Sequence, residues 1–160
     1  MATSKQPILV CVDFFDFKGE LLSTIGEYIW GHGAVHVGMM LDEDRYLFPH
    51  PSKGLTLRRT STVYRKCVPS MFIQLMGFEP EDPNWFDNKF KGRRLSSTFK
   101  RLITEPIYVM KDLGADVSLP KRETCVSQLK EVLRELNIVT FSHTTQAFYH
   151  ELVGHPMRVG

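Results

Sequence analysis

Apolar and polar positions are grouped in short blocks along the chain, and the blocks change period. Residues 7–14 (PILVCVDF) form a brief β-branched run with a proline before it and polar residues after it, which predicts a buried strand. Over residues 19–30 the apolar side chains Leu21, Leu22, Ile25, Tyr28 and Ile29 recur at helical spacing, and Gly31 supplies a stop. Residues 34–41 and 45–48 predict two strands joined by a turn at Asp42, Glu43 and Asp44. Residues 54–59 and 61–68 predict two more strands, and 71–78 reads as a further one. Residues 79–92, with Pro80 and Pro83, predict a loop. A helix is expected over 95–103, then a strand or extended piece at 107–110. After Pro120, a helix from about Thr124 to Leu136 would place Val126, Leu129, Val132, Leu133 and Leu136 on one face. Thr144 or Thr145 can cap a last helix that runs to about Val153, with Gly154 as its stop. This order predicts an α+β fold, a mostly antiparallel sheet packed against helices, in a single domain over 1–160.

Composition narrows the function classes. A hydrophobic content of 42% and a charged content of 24% fit an ordinary globular chain. The net charge of +2 is too small for nucleic acid to be the expected main partner. Basic residues cluster at Lys89, Lys91, Arg93 and Arg94 and again at Lys100 and Arg101, which reads as a solvated face or as an anionic docking surface. The three cysteines, at 11, 67 and 125, are odd in number, widely spaced and without a C-x-x-C pair, so no disulfide framework is expected. The apolar run ILVCV is too short for a signal peptide and no stretch is long enough to span a membrane, so a cytoplasmic placement is expected.

Candidate chemistry sits on three residues. A turn centred on Glu43 places His36, on the first strand of the hairpin, opposite His50 on the second. One imidazole can then fix the tautomer of the other. Pro49 removes a ladder donor, so the strand can also end at Phe48 and leave the orienting role to another polar group. Cys125 would follow the N-cap Thr124 at the first helical position, where free N–H groups and the helix dipole stabilise a thiolate. The alternative is that Cys125 is a small buried apolar residue. Cys11 and Cys67 read as packed strand interiors, and His143, His150 and His155 as cap, surface and tail positions. His32 and His36 are four apart, but Gly31 and Gly33 flank His32 and no Glu follows it, so no metal site and no cofactor is expected. Trp30, Trp85 and Phe86 can line a cleft, although core packing is the simpler role.

The run AVHVGMML, the Ser-Lys-Gly-Leu stretch at 52–55, TCVSQLKEVLRELNI and HTTQAFYHEL occur in an order that resembles a known family. It is the circularly permuted branch of the NlpC-type papain-fold cysteine hydrolases, related to lecithin retinol acyltransferase. In that branch a histidine strand with a motif close to H-V-G-I or H-V-G-M comes first. A polar third residue follows on the next strand, and the nucleophilic cysteine comes last, opening a helix. Thr145 stands where the family's last helix has proline.

The resemblance implies a permuted papain-like fold with Cys125 as nucleophile, His36 as general base and His50 as the orienting third residue. It implies acyl transfer through a thioester on a peptide, peptidoglycan or lipid-type acyl substrate. Compact versions of the pattern resemble phage-encoded proteins, which makes a virion or other protein partner a candidate. The competing expectation is a non-catalytic virion, structural or interaction protein that keeps the fold.

Overall fold

A computed structural model describes residues 5–17, 25, 33–50 and 53–160. Five strands form one antiparallel sheet: β1 (Lys5–Asp16), β2 (Ala34–Met40), β3 (Tyr46–His50), β4 (Gly54–Arg58) and β5 (Met71–Pro80), in the order β4-β3-β2-β1-β5. The helices among the described residues are α1 (Thr60–Lys66), α2 (Trp85–Lys89), α3 (Thr98–Asp112), α4 (Cys125–Glu135) and α5 (Thr145–Val153). The fold is α+β with an antiparallel sheet. The helix expected over 19–30 lies outside the described residues apart from Ile25.

Strand alternation gives the sheet two different faces. Val10, Val12 and Phe14 of β1, Val37 and Met39 of β2 and Ile73 and Leu75 of β5 point to one face. There they pack under Leu129, Val132 and Leu133 of α4 and under Phe148 and Leu152 of α5. The other face carries Phe15, Tyr46 and the half-buried Met40 and Phe48, covered by Val63 and Tyr64 of α1.

Two segments differ from the periodicity. The second strand expected at 61–68 is α1, so Cys67 caps a helix rather than sitting in a strand. Tertiary contacts override the β preference of its Thr and Val residues. The Thr60 hydroxyl donates to the Asp42 carbonyl at 2.7 Å, and the Tyr64 hydroxyl donates to Asp13 at 2.7 Å. The extended piece expected at 107–110 is part of α3, which continues through Pro106. Pro106 forfeits one helical hydrogen bond, but its neighbours are held from outside. Tyr108 donates its hydroxyl to the Pro120 carbonyl at 2.5 Å, Arg122 stacks on the Tyr108 ring at 4.2 Å, and Arg122 pairs with Glu105 at 2.5 Å.

The loop expected at 79–92 contains the short helix α2, whose Trp85 and Phe86 are buried in the main core. Residues 71–78 form a strand that extends to Pro80.

Candidate active site

The thiol site is built by a helix start. Thr124 is extended, and its Oγ1 accepts from the Ser127 amide at 2.9 Å while Ser127 Oγ accepts from the Thr124 amide at 2.9 Å. This reciprocal cap fixes where α4 begins and puts Cys125 at its first position. Cys125 is only 5% exposed. Burial pushes its thiol above the ordinary value, while Arg101, the Val37 backbone and the Thr145 side chain pull the other way. Burial wins, so the resting group is a protonated thiol.

Cys125 lies on the wall of a cavity of about 400 Å³. One stripe of α3 (Arg101, Leu102, Glu105, Pro106, Val109 and Met110) forms a second wall, and Val35 and the loop into α5 close it. The loop contributes His143. Burial and the nearby Lys130 hold that imidazole below its ordinary pKa, against Asp112, so it is neutral near pH 7. The cap of α5 is Thr144 rather than His143, whose backbone amide donates to Asp112 Oδ1 at 2.9 Å.

His36 and His50 meet in a different cavity, of about 540 Å³, on the other face of the sheet. The hairpin turn centres on Glu43 as the polar pattern requires, because Met39 pairs with Leu47 and Met40 with Tyr46. The ladder between β2 and β3 ends there. Beyond it β3 stays paired with β4, through Pro49 opposite Leu55 and His50 opposite Gly54. Pro49 therefore does not end the strand, and His50 is its last residue. The His36 ring is 5% exposed and lies 4.8 Å from the Phe48 ring, 5.8 Å from Phe17 and 6.3 Å from Phe15. His50 is held below its ordinary pKa by desolvation, then by Arg58, Lys53, His36 and Lys66.

His36 and His50 therefore line one cavity without being paired across the β2–β3 ladder as the turn arithmetic predicts, and Cys125 lines the neighbouring one. His36 and Val37 are successive residues of β2 and point to opposite faces. The thiol touches the Val37 backbone from the α4 side. Val35 and Arg101 belong to both cavities, and Arg101 donates to the Val35 carbonyl at 3.2 Å.

Two residues of the site, His143 and Asp13, carried no functional reading in the residue pattern. His143 has no motif that marks it, and Arg101 was marked only as part of a basic cluster. Asp13 is 1% exposed inside an apolar strand, and that interruption of β1 is a visible signal. Its Oδ2 accepts from Tyr46 and Tyr64 hydroxyls at 2.7 Å each, and its Oδ1 accepts from the Cys11 thiol at 3.3 Å. Burial, and then Asp13, push the Cys11 thiol up to about 12.

Two of the four basic residues near residue 90 are ion-paired. Lys89 pairs with Glu135 at 2.6 Å, and Arg93 pairs with Glu123 at 2.7 Å and with Glu131. Among the described residues no group of three or more His, Cys, Asp or Glu is placed to hold a metal ion, and no helix is long and apolar enough to cross a membrane. No family model, curated protein or solved structure matches the chain.

Proposed function

We propose that the chain is a thiol-dependent hydrolase or acyltransferase acting on an amide or ester, with Cys125 as nucleophile. The observation that carries this reading is the position of Cys125: the first residue of a doubly capped helix, on the wall of a cavity large enough for an acyl chain. Burial keeps the thiol protonated, so the proton leaves as attack begins rather than beforehand. The imidazole takes the proton from Sγ, sulfur bonds to the carbonyl carbon, and the carbonyl oxygen takes the negative charge. Collapse expels the amine or alcohol, which receives the same proton, and leaves a thioester on Cys125. Water or another acceptor then attacks the thioester, with the imidazole again as base.

The base in this reading is His36, one residue from the backbone that the thiol touches, with His50 in its cavity to orient it. No β3 residue pairs with β2 at Val35–Val37, so the ladder does not block the side of β2 along which the two groups must approach. His143, on the thiol's own cavity, is the competing base.

The second reading, a non-catalytic protein, is favoured by the same geometry: a protonated thiol on one face of β2 and the two imidazoles in a cavity on the other. Reaction with p-nitrophenyl butyrate, followed by peptide mass spectrometry, decides between them. A butyryl thioester should accumulate on Cys125 ahead of Cys11 and Cys67, and Cys125→Ala should release no burst of nitrophenol while melting normally. Equal labelling of the three cysteines would sink the enzyme reading. His36→Ala should slow acylation roughly a hundredfold at pH 7, within the range for loss of a general base. If His143→Ala does so instead, the base is His143.

A further inference from the structure

We infer that the cavity between β2, β3, β4 and α1 binds an anionic organic ligand, a carboxylate or phosphate carried on an apolar body. Its wall gathers His36, His50, Lys53, Arg58, Lys66 and Arg101, and among the described residues no carboxylate lines it. Phe17, Phe48, Val63 and Leu95 supply the apolar part of the same wall. At about 540 Å³ the cavity has the size of a small-molecule site.

Along this wall the lysine and arginine side chains have no ion-pair partner among the described residues. Arg45, Lys89, Arg93 and Arg122 each form an ion pair with a glutamate or aspartate. Among the described residues, Lys53, Arg58, Lys66 and Arg101 form none. Like charges gathered in a concave, partly apolar site repel, and an anion relieves that repulsion while gaining charge-assisted hydrogen bonds.

Two of the donors are already held in place. Arg101 donates to the Val35 carbonyl, and Arg58 Nε donates to Thr56 Oγ1 at 3.5 Å. His50 Nδ1 accepts from the Lys53 amide at 3.2 Å, which fixes the ring's orientation and leaves its proton on Nε2. Four of the six basic groups lie on β3, the β3–β4 turn, β4 and α1, elements that pack against one another. The positive rim is therefore a property of the fold rather than of one mobile loop.

The inference does not depend on acyl transfer, and its test is run on Cys125→Ala so that the two can fail separately. Calorimetric titration compares octanoate, octyl phosphate and neutral octanol at low salt. At least one anion should bind roughly tenfold or more tightly than octanol, and its affinity should fall as salt is raised. Preference for octyl phosphate or for octanoate identifies the headgroup. The triple variant Lys53→Gln, Arg58→Gln, Lys66→Gln changes half-buried or exposed side chains and should melt like its parent. It should lose roughly tenfold or more in affinity for the anion. Equal binding of octanol, no binding of either anion at millimolar concentration, or unchanged affinity in the triple variant would overturn the inference.

Discussion

On the α4 side of the sheet, strand residues meet helix residues almost without polar atoms; on the α1 side, the alternate residues of the same strands meet a polar network and two imidazoles. Val12, Met39 and Leu75 face Leu129 and Leu133, all within 0% exposure. One residue along each strand, Asp13, Gly38 and Met40 face Tyr46 and Tyr64. Gly38 is required there, since a Cβ would lie 2.7 Å from the Tyr46 ring. The contrast separates two jobs. The first face supplies most of the apolar burial. The second holds polar groups in fixed positions, and fixed polar groups need partners when they leave water.

The comparison breaks most visibly on the first face. Leu129→Ala removes a fully buried side chain from the contact between α4 and the sheet and should cost about 2–5 kcal/mol. A fall in denaturant midpoint with unchanged slope checks it. A loss under about 1 kcal/mol would mean that α4 does not anchor the core. Asp13→Ala probes the second face. It strands the Tyr46 hydroxyl in the interior and should cost about 1–3 kcal/mol. Because His36 shares this face through Phe15 and Phe48, the variant should also alter the environment of the His36 ring, readable in its NMR titration.

A further effect is expected in alkali. Folding raises the Cys11 thiol from 9.0 to about 12, and burial followed by Asp13 raises Tyr46 and Tyr64 as well. The folded state then keeps protons that the unfolded chain releases. The stability this provides is complete below about pH 9 and is lost as pH rises toward 12. Unfolding midpoints measured from pH 8 to pH 11 should therefore fall. In Asp13→Ala the decline should be shallower but still present, because burial is the larger cause for all three groups. A midpoint that rises with pH would show that the network is not buried as described.

Apolar periodicity was enough to place most of the scaffold. The apolar runs at β1, β2 and β3, the turn at Glu43 and the capped start of α4 at Thr124 are local patterns and appear in the structure, with β1 longer than expected and β3 reaching His50, and Thr144 is the one of the two candidate threonines that caps α5. Local signals misled where distant contacts prevail. The Thr and Val residues of α1 prefer strands until Thr60 and Tyr64 find partners in the β2–β3 turn and in Asp13. Pro106 suggests a break in α3 until Tyr108 and Arg122 lock the helix from outside.

For the site, the sequence by itself determined that Cys125 would open a helix and that His36 and His50 would share one face of a hairpin. Both follow from short-range geometry: a cap's side-chain reach and the two-residue repeat of a strand. Only the tertiary structure decided which face of β2 the cysteine helix would cover. It covers the face of Val37, the apolar neighbour of His36, because α4 presents Val126, Leu129 and Leu133 and buries more by meeting valine and methionine than by meeting histidine and glycine. The thiol and the imidazoles were thereby assigned to adjoining chambers, linked by Val35 and Arg101. Residue spacing cannot encode that choice, since the helix and the strand are separated by most of the chain and meet only through packing.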